Sequence, residues 1–306
     1  MVKRIIILCI FVFALQSCFS QQDSQFSHEM FNQVSINPAC SGLGSEIDIF
    51  GLNRQQWLGF TGAPKVTVFS ISAPLAFLGI NSGAGISILD DRLGFEKNFE
   101  GKLSFSYYRE LRSGKLSFGI DAGLFNKTID GDFKAIESVN NDRAIPVKGD
   151  NSMAFDMSLG VYYSTEKFYA GISSTHLLEP SIDFQVQDKP FLKRHYYLMS
   201  GYNWQVPNSA WEVRPSMMLK SDGSTFQLSG NATAFYNKRF WCGVTYRVRD
   251  AVGLLIGIEL RNGIRLGYGY DIHTSALNNS HELMLGYSFS LEFEKIPQIY
   301  KSVRFL

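Results

Sequence analysis

Five histidines, His28, His176, His195, His273 and His281, are the side chains in this sequence best suited to metal binding or proton transfer. None has a cysteine, histidine or carboxylate at the short spacing by which a local segment wraps a metal. Each is therefore expected at a loop or strand end, and no metal site is expected. Asp90-Asp91, ahead of Gly94, offers two carboxylates to calcium, but no complete calcium loop follows, and a solvated strand end is the expectation. Gly83-Ala84-Gly85 and Gly267-Tyr268-Gly269 repeat glycine at two-residue spacing. They do not open helices, so they are not phosphate cradles. There is neither a serine elbow nor a lysine-bearing P-loop. The chain carries no constellation that calls for catalysis or a cofactor, and a non-enzymatic protein is expected.

The elements that hold these residues alternate strictly. Leu116, Phe118, Ile120, Ala122 and Leu124 are interleaved with Ser117, Gly119, Asp121 and Gly123. Met153, Phe155, Met157, Leu159 and Val161 interleave with Ala154, Asp156, Ser158 and Gly160. A strand turns successive side chains to opposite faces, so each segment has one apolar and one polar or glycine face. Later strands carry charge on the polar parity: Glu212, Arg214 and Lys220, then Glu259, Arg265 and Asp271. Arg or Lys facing lipid at midplane costs about 2–4 kcal/mol. These residues are therefore assigned to a lumen, and their mixed signs predict a salt-bridged interior rather than an ion-selective pore. Pro215 removes a ladder donor and should mark a bulge or strand edge.

Alternation and turn signals give about fourteen strands, from 46–57 to 281–292, most near the ~10 residues a tilted strand needs to cross a membrane. Connections sort by length in strand order, with exceptions from Pro74 to Ser82, which is long, and around Ser221-Asp222-Gly223 and Asp250-Ala251, which are short. Arg112-Ser113-Gly114, Ser164-Thr165-Glu166, Asn237-Lys238 and Arg261-Asn262 are short, whereas Asn126–Asn151 and His176–Leu192 are long. Outer-membrane barrels pair tight periplasmic turns with longer outer loops in this way, and a β-sandwich has no reason to. The expectation is all-β: a transmembrane antiparallel β-barrel of about fourteen strands with an N-terminal non-strand segment.

The front end agrees with export. Lys3 and Arg4 precede an apolar run, Ile5–Leu15, too short to span a bilayer, with Ser17 and Ser20 near a cleavage point. Residues 1–20 are read as a cleavable signal peptide. Leu15-Gln16-Ser17-Cys18 is a competing, loose lipidation motif. Residues 21–45 form an N-terminal periplasmic-side segment, 46–293 the barrel, and 294–306 a C-terminal tail. In the segment, Phe26, Met30 and Phe31 are spaced like one face of a helical turn and are the candidate partner-binding residues, docking either to a partner or into the barrel's own lumen. Cys40 and Cys242 follow the signal, too few for a disulfide framework; Cys242 lies on the apolar parity. The 29 basic and 28 acidic residues nearly cancel, so no nucleic acid is expected as a partner. Mean hydropathy is near zero, as a barrel that hides its apolar residues in alternation requires. The 14% aromatic content suits interfacial girdles.

Particular blocks resemble a known family. They include Gln21–Ser27, Met30-Phe31-Asn32-Gln33 and Ser35-Ile36-Asn37-Pro38-Ala39 at the start, and Arg54-Gln55-Gln56-Trp57-Leu58-Gly59-Phe60 from the end of the first strand onward. Phe240-Trp241-Cys242-Gly243-Val244-Thr245-Tyr246-Arg247, Arg265–Asp271 and Ser280–Tyr287 close the match. Together they are similar to the PorP/SprF outer-membrane proteins of the Bacteroidota type IX secretion system. Cys40 stands where a tyrosine is usual. The resemblance implies a non-enzymatic barrel in the cell outer membrane. It would work with the secretion machinery, including a periplasmic ring lipoprotein, and with secreted cargo bearing a C-terminal signal, such as gliding adhesins. A passive porin or small-molecule transporter is the alternative.

Overall fold

A computed structural model describes residues 23–75, 79–131, 149–184, 189–274 and 278–290. Residues 1–20, Cys18 and the tail 294–306 lie outside them. The strands are β1 (Ile47–Gln55), β2 (Lys65–Pro74), β3 (Ser82–Leu93), β4 (Glu96–Leu111), β5 (Gly114–Ile129), β6 (Asp150–Ser164) and β7 (Phe168–Thr175). They continue as β8 (His195–Tyr202, extended collinearly by Trp204–Gln205), β9 (Trp211–Ser221), β10 (Phe226–Tyr236), β11 (Phe240–Arg247), β12 (Ala251–Glu259), β13 (Ile264–His273) and β14 (Ser280–Phe289). Each pairs antiparallel with its sequence neighbours. β14 returns to β1, with Ile47 opposite Phe289 and Gln55 opposite His281, so the sheet closes as a fourteen-stranded barrel with no free edge.

The expected bulge at Pro215 is instead a gap in an unshifted ladder. Ser216 pairs with Gly201 and Val213 with Trp204, so no residue is inserted. Pairing to β8 lapses at Arg214 and Pro215, where proline has no N–H to give.

Outward positions are exposed and apolar, as Leu103, Phe105 and Tyr107 on β4 are, while Ser104 and Ser106 between them are buried. Part of the inner wall is apolar as well. Phe50, Leu52, Val66, Val68, Phe235, Trp241, Leu255 and Met284 all face inward and are buried. What they pack against is residues 23–45, which run through the lumen as three short 3₁₀ turns, Glu29–Phe31, Gln33–Ser35 and Pro38–Cys40. Asn37 caps the last turn by accepting from the Ala39 N–H, with Pro38 at its first position.

Residues 23–45 take the second of the two dockings expected for the segment, into the barrel's own lumen. At its C-terminal end the Leu43 carbonyl accepts from Lys115 at the start of β5 (3.2 Å), near the turn-rich rim. Midway, Asn37 donates to the Val161 carbonyl (3.2 Å). At its beginning, Asp23 meets His176 and His195, which bound the long connection between β7 and β8 at the opposite rim. By loop asymmetry that rim is the one expected to face outward from the cell. The segment therefore climbs the whole lumen, because the inner wall offers it both apolar surface and fixed charge. Two inward glycines make room for it: a Cβ on Gly160 would sit 2.0 Å from Asn37 Oδ1, and one on Gly119 2.2 Å from the Ala39 nitrogen.

The connection after β7 also folds inward. Ile182 and Phe184 are buried against Phe125, Ile129 and Ala154, and Ser181 bridges to Phe191.

Candidate functional site

The functional geometry lies where the N-terminal segment meets the charged inner wall. Four inward residues near the extracellular strand ends converge on Ser27: Arg54 of β1, Arg247 of β11, Asp271 of β13 and Glu282 of β14. All are at most 2% exposed. Arg54 pairs with Asp271 (2.6 Å) and Glu282 (3.0 Å), and Arg247 with Asp271 (2.6 Å). Ser27 Oγ donates to Asp271 (2.7 Å) and accepts from Arg54 (3.1 Å) and Arg247 (3.0 Å). A hydroxyl has one proton and two lone pairs, so this one is saturated. The Ser27 and His28 amides both donate to Glu282, at 2.9 and 2.7 Å, and His28 Nδ1 lies 2.5 Å from the same carboxylate. Burying two guanidiniums and two carboxylates is tolerable only with this degree of pairing.

A second cluster holds the segment's first described residue. Asp23 Oδ1 is 3.2 Å from His176 Nε2, and Tyr197 donates its hydroxyl to Oδ2 (2.5 Å). The Lys220 ammonium donates to the Asp23 carbonyl (2.6 Å). His176 Nδ1 lies 2.6 Å from Asp156 Oδ2, which places its ring between two carboxylates. Burial pushes the His176 pKa down, but Asp23 and Asp156 outweigh it and raise it to about 10. The backbone of His176 is left-handed, at φ 54°. That conformation is uncommon outside glycine but is comparatively frequent for histidine, and it turns the ring into the lumen as the chain leaves β7. A cavity of about 200 Å³ adjoins the cluster, walled in part by Lys102, Lys127 and Phe125.

Of the candidate partner-binding residues, Phe26 is buried in the apolar wall cluster, and Met30 and Phe31 pack against it half-buried. Phe31 stands 5.1 Å from the Trp241 ring. The structure brings all three together inside the barrel. The histidines expected at loop or strand ends divide. His28 is wholly buried in the lumen, His176 and His195 converge at the rim, and His281 lies beside Tyr268. Asp91 accepts from Ser24 (3.1 Å) and Asp90 pairs with Arg92 (2.8 Å). Spacing could not reveal the Ser27 and Asp23 clusters, since their members lie up to 255 residues apart. The one usable signal was charge on the inward parity near strand ends, which had already singled out Asp271 and Lys220.

The family profile described as type IX secretion system membrane protein PorP/SprF matches residues 18–287. The chain belongs to the PorP/SprF family. This PorP/SprF protein is thus a barrel component of the type IX secretion system. Its closed sheet with an outward apolar surface places it in the outer membrane. Among curated proteins none matches the sequence. Similar solved structures include Omp33 of Acinetobacter baumannii, at 8% identity and a TM-score of 0.49, covering 81% of this chain and all of that one. A mutant of the TodX monoaromatic hydrocarbon channel is similar at 10% identity and 0.47, covering 83% and 93%. The translocator domain of the autotransporter NalP from Neisseria meningitidis follows at 11% and 0.42, covering 86% and 94%. The barrel assignment itself rests on the strand pairing.

Proposed function

We propose that this PorP/SprF protein serves the secretion machine as a plugged docking barrel and not as a conduit. It supports the export or surface attachment of cargo carrying a C-terminal signal, gliding adhesins among them. It does so through contact with the periplasmic ring lipoprotein, and it performs no catalysis. The observation that carries this reading is the lumen occupied by the protein's own residues 23–45, fastened at Ser27 by four buried charges. A porin keeps a water-filled lumen; here a segment bonded to Arg54, Arg247, Asp271 and Glu282 stands in it. Phe26, Met30 and Phe31 then act by holding the plug, which sets the shape of the periplasmic mouth that partners meet.

The test compares the surface proteome of a deletion strain with its parent and measures conductance of the purified barrel in planar bilayers. The expected result is loss of one or a few large surface proteins and no steady open-pore current. An unchanged surface proteome with a solute-uptake defect and a steady current would establish the porin alternative instead.

A further inference from the structure

We propose that Asp23, His176 and His195 form a divalent transition-metal site, best suited to zinc, that fastens the start of the plug to the extracellular rim. One ligand atom from each of the three lies within 4.8 Å of the others. Tetrahedral zinc at ~2.1 Å from each ligand holds ligand atoms about 3.4 Å apart. Asp23 Oδ1 is already 3.2 Å from His176 Nε2; its 3.6 Å approach to His195 is to Nδ1, while the Nε2 of that ring also faces Asp23, at its main-chain nitrogen. Both imidazoles are nearly buried, while Asp23 is about a quarter exposed, beside the 200 Å³ cavity that gives an ion and a fourth, water ligand a way in.

The rings are oriented as ligand rings usually are. A metal-bound histidine commonly donates its other N–H to a carboxylate or a backbone carbonyl, which fixes the tautomer. His176 Nδ1 has Asp156 Oδ2 at 2.6 Å, and His195 Nδ1 has the Lys193 carbonyl at 2.9 Å. A carbonyl accepts only, so Nδ1 of His195 carries the proton and its Nε2 keeps the lone pair. That lone pair now faces the Asp23 main-chain N–H at 3.4 Å, a contact long enough to yield to a metal. His176 Nε2 faces a carboxylate and carries a proton, which coordination releases to water. The Lys220 ammonium nearby is engaged by the Asp23 carbonyl and not by its carboxylate.

A second grouping, Glu100, Asp156 and His176, shares one histidine. It is disfavoured because Glu100 is paired with the buried Lys102 at 2.7 Å and Asp156 already grips Nδ1. One nitrogen with two carboxylates also suits harder ions, whereas two imidazoles and one carboxylate suit zinc.

The experiment uses the full-length barrel purified in detergent, stripped with chelator and re-exposed to Zn²⁺ at micromolar concentration. The retained metal is counted after desalting, and Co²⁺ serves as an optical probe. The expected result is one equivalent of Zn²⁺ and visible Co²⁺ absorption from a tetrahedral site. Affinity should fall at least tenfold in His195→Ala and in His176→Ala and stay unchanged in His281→Ala. Asp156→Asn, which keeps an acceptor for Nδ1, should bind, at a loss of about tenfold. Heat-modified gel migration identifies any variant that fails to fold; His195→Gln replaces His195→Ala in that event. Retention of no metal by the wild-type chain, or binding that survives both histidine substitutions, overturns the proposal. Binding abolished by Asp156→Asn while His195→Ala still binds would move the site to the Glu100 grouping and overturn it equally.

Discussion

At the residue scale, Ser27 shows how little side chain is needed to order a plug when its hydrogen-bonding capacity is matched. Its single hydroxyl serves Asp271, Arg54 and Arg247 together. Ser27→Ala leaves two buried guanidinium N–H groups and one carboxylate short of a partner. Each orphan costs about 1–3 kcal/mol. The expected outcome is a plug that undocks more readily, read as faster reaction of a cysteine placed at Ser24 with a bulky thiol reagent, while Ser27→Thr retains most protection. The same rim carries a pH response. Burial raises the pKa of Asp250, in the turn after β11, but a hydrogen bond from His273 and the Arg247 guanidinium outweigh it and hold it at about 2, against 3.8 ordinarily. A depressed carboxylate contributes stability above its unfolded value, and this is lost as pH falls through the folded one. The turn should therefore stay protected from amide exchange down to about pH 4 and loosen progressively toward pH 2. Asp250→Asn should abolish that dependence.

At the scale of elements, the N-terminal segment is too short and too poor in regular hydrogen bonds to hold a conformation alone. Three-residue 3₁₀ turns are marginal structures, and their order comes from the wall. Phe26 inserts among Phe50, Val68, Trp241 and Leu255, with Met30 and Phe31 beside it. Truncating a buried phenylalanine to alanine costs about 3–5 kcal/mol. The barrel, by contrast, closes through its own ladders. Replacing Phe26, Met30 and Phe31 by alanine together should leave heat-modifiable migration intact while releasing the plug and abolishing cargo export. Normal export from the triple variant would remove the segment from the mechanism, and loss of the barrel would make its role purely structural.

At the scale of the whole molecule, closure gives the chain two distinct rims. The strand ends at Ile47 and Phe289 lie together at one, and Thr175 and His195, where β7 ends and β8 begins, lie at the other. Leu178 is exposed in that connection, and Ser113 sits in the tight turn between β4 and β5. A cysteine at Leu178 should react with a membrane-impermeant reagent on intact cells, and one at Ser113 only after the outer membrane is opened. The reverse pattern would invert the orientation, including the extracellular placement of Asp23. Ser138, in the other long connection, lies outside the described residues.

The sequence alone determined the strands, because alternation follows from the backbone: every second residue must face lipid, as Leu103, Phe105 and Tyr107 on β4 and Leu283 and Leu285 on β14 do. Loop-length parity pointed to a barrel in spite of short connections such as 94–95 and 248–250 on the long-loop side, and the family blocks were legible in the opening and closing motifs. What alternation could not say is what fills the inside. Phe50, Leu52, Val66 and Val68 read as ordinary strand residues, yet they line a lumen that would be polar in an open pore. Only closure set them around Phe26. The same closure carried Asp23 beside His176 and His195, and Ser27 beside Glu282. Contacts between residues 153 to 255 positions apart are set by the curvature of a closed sheet, and no spacing along the chain encodes them locally.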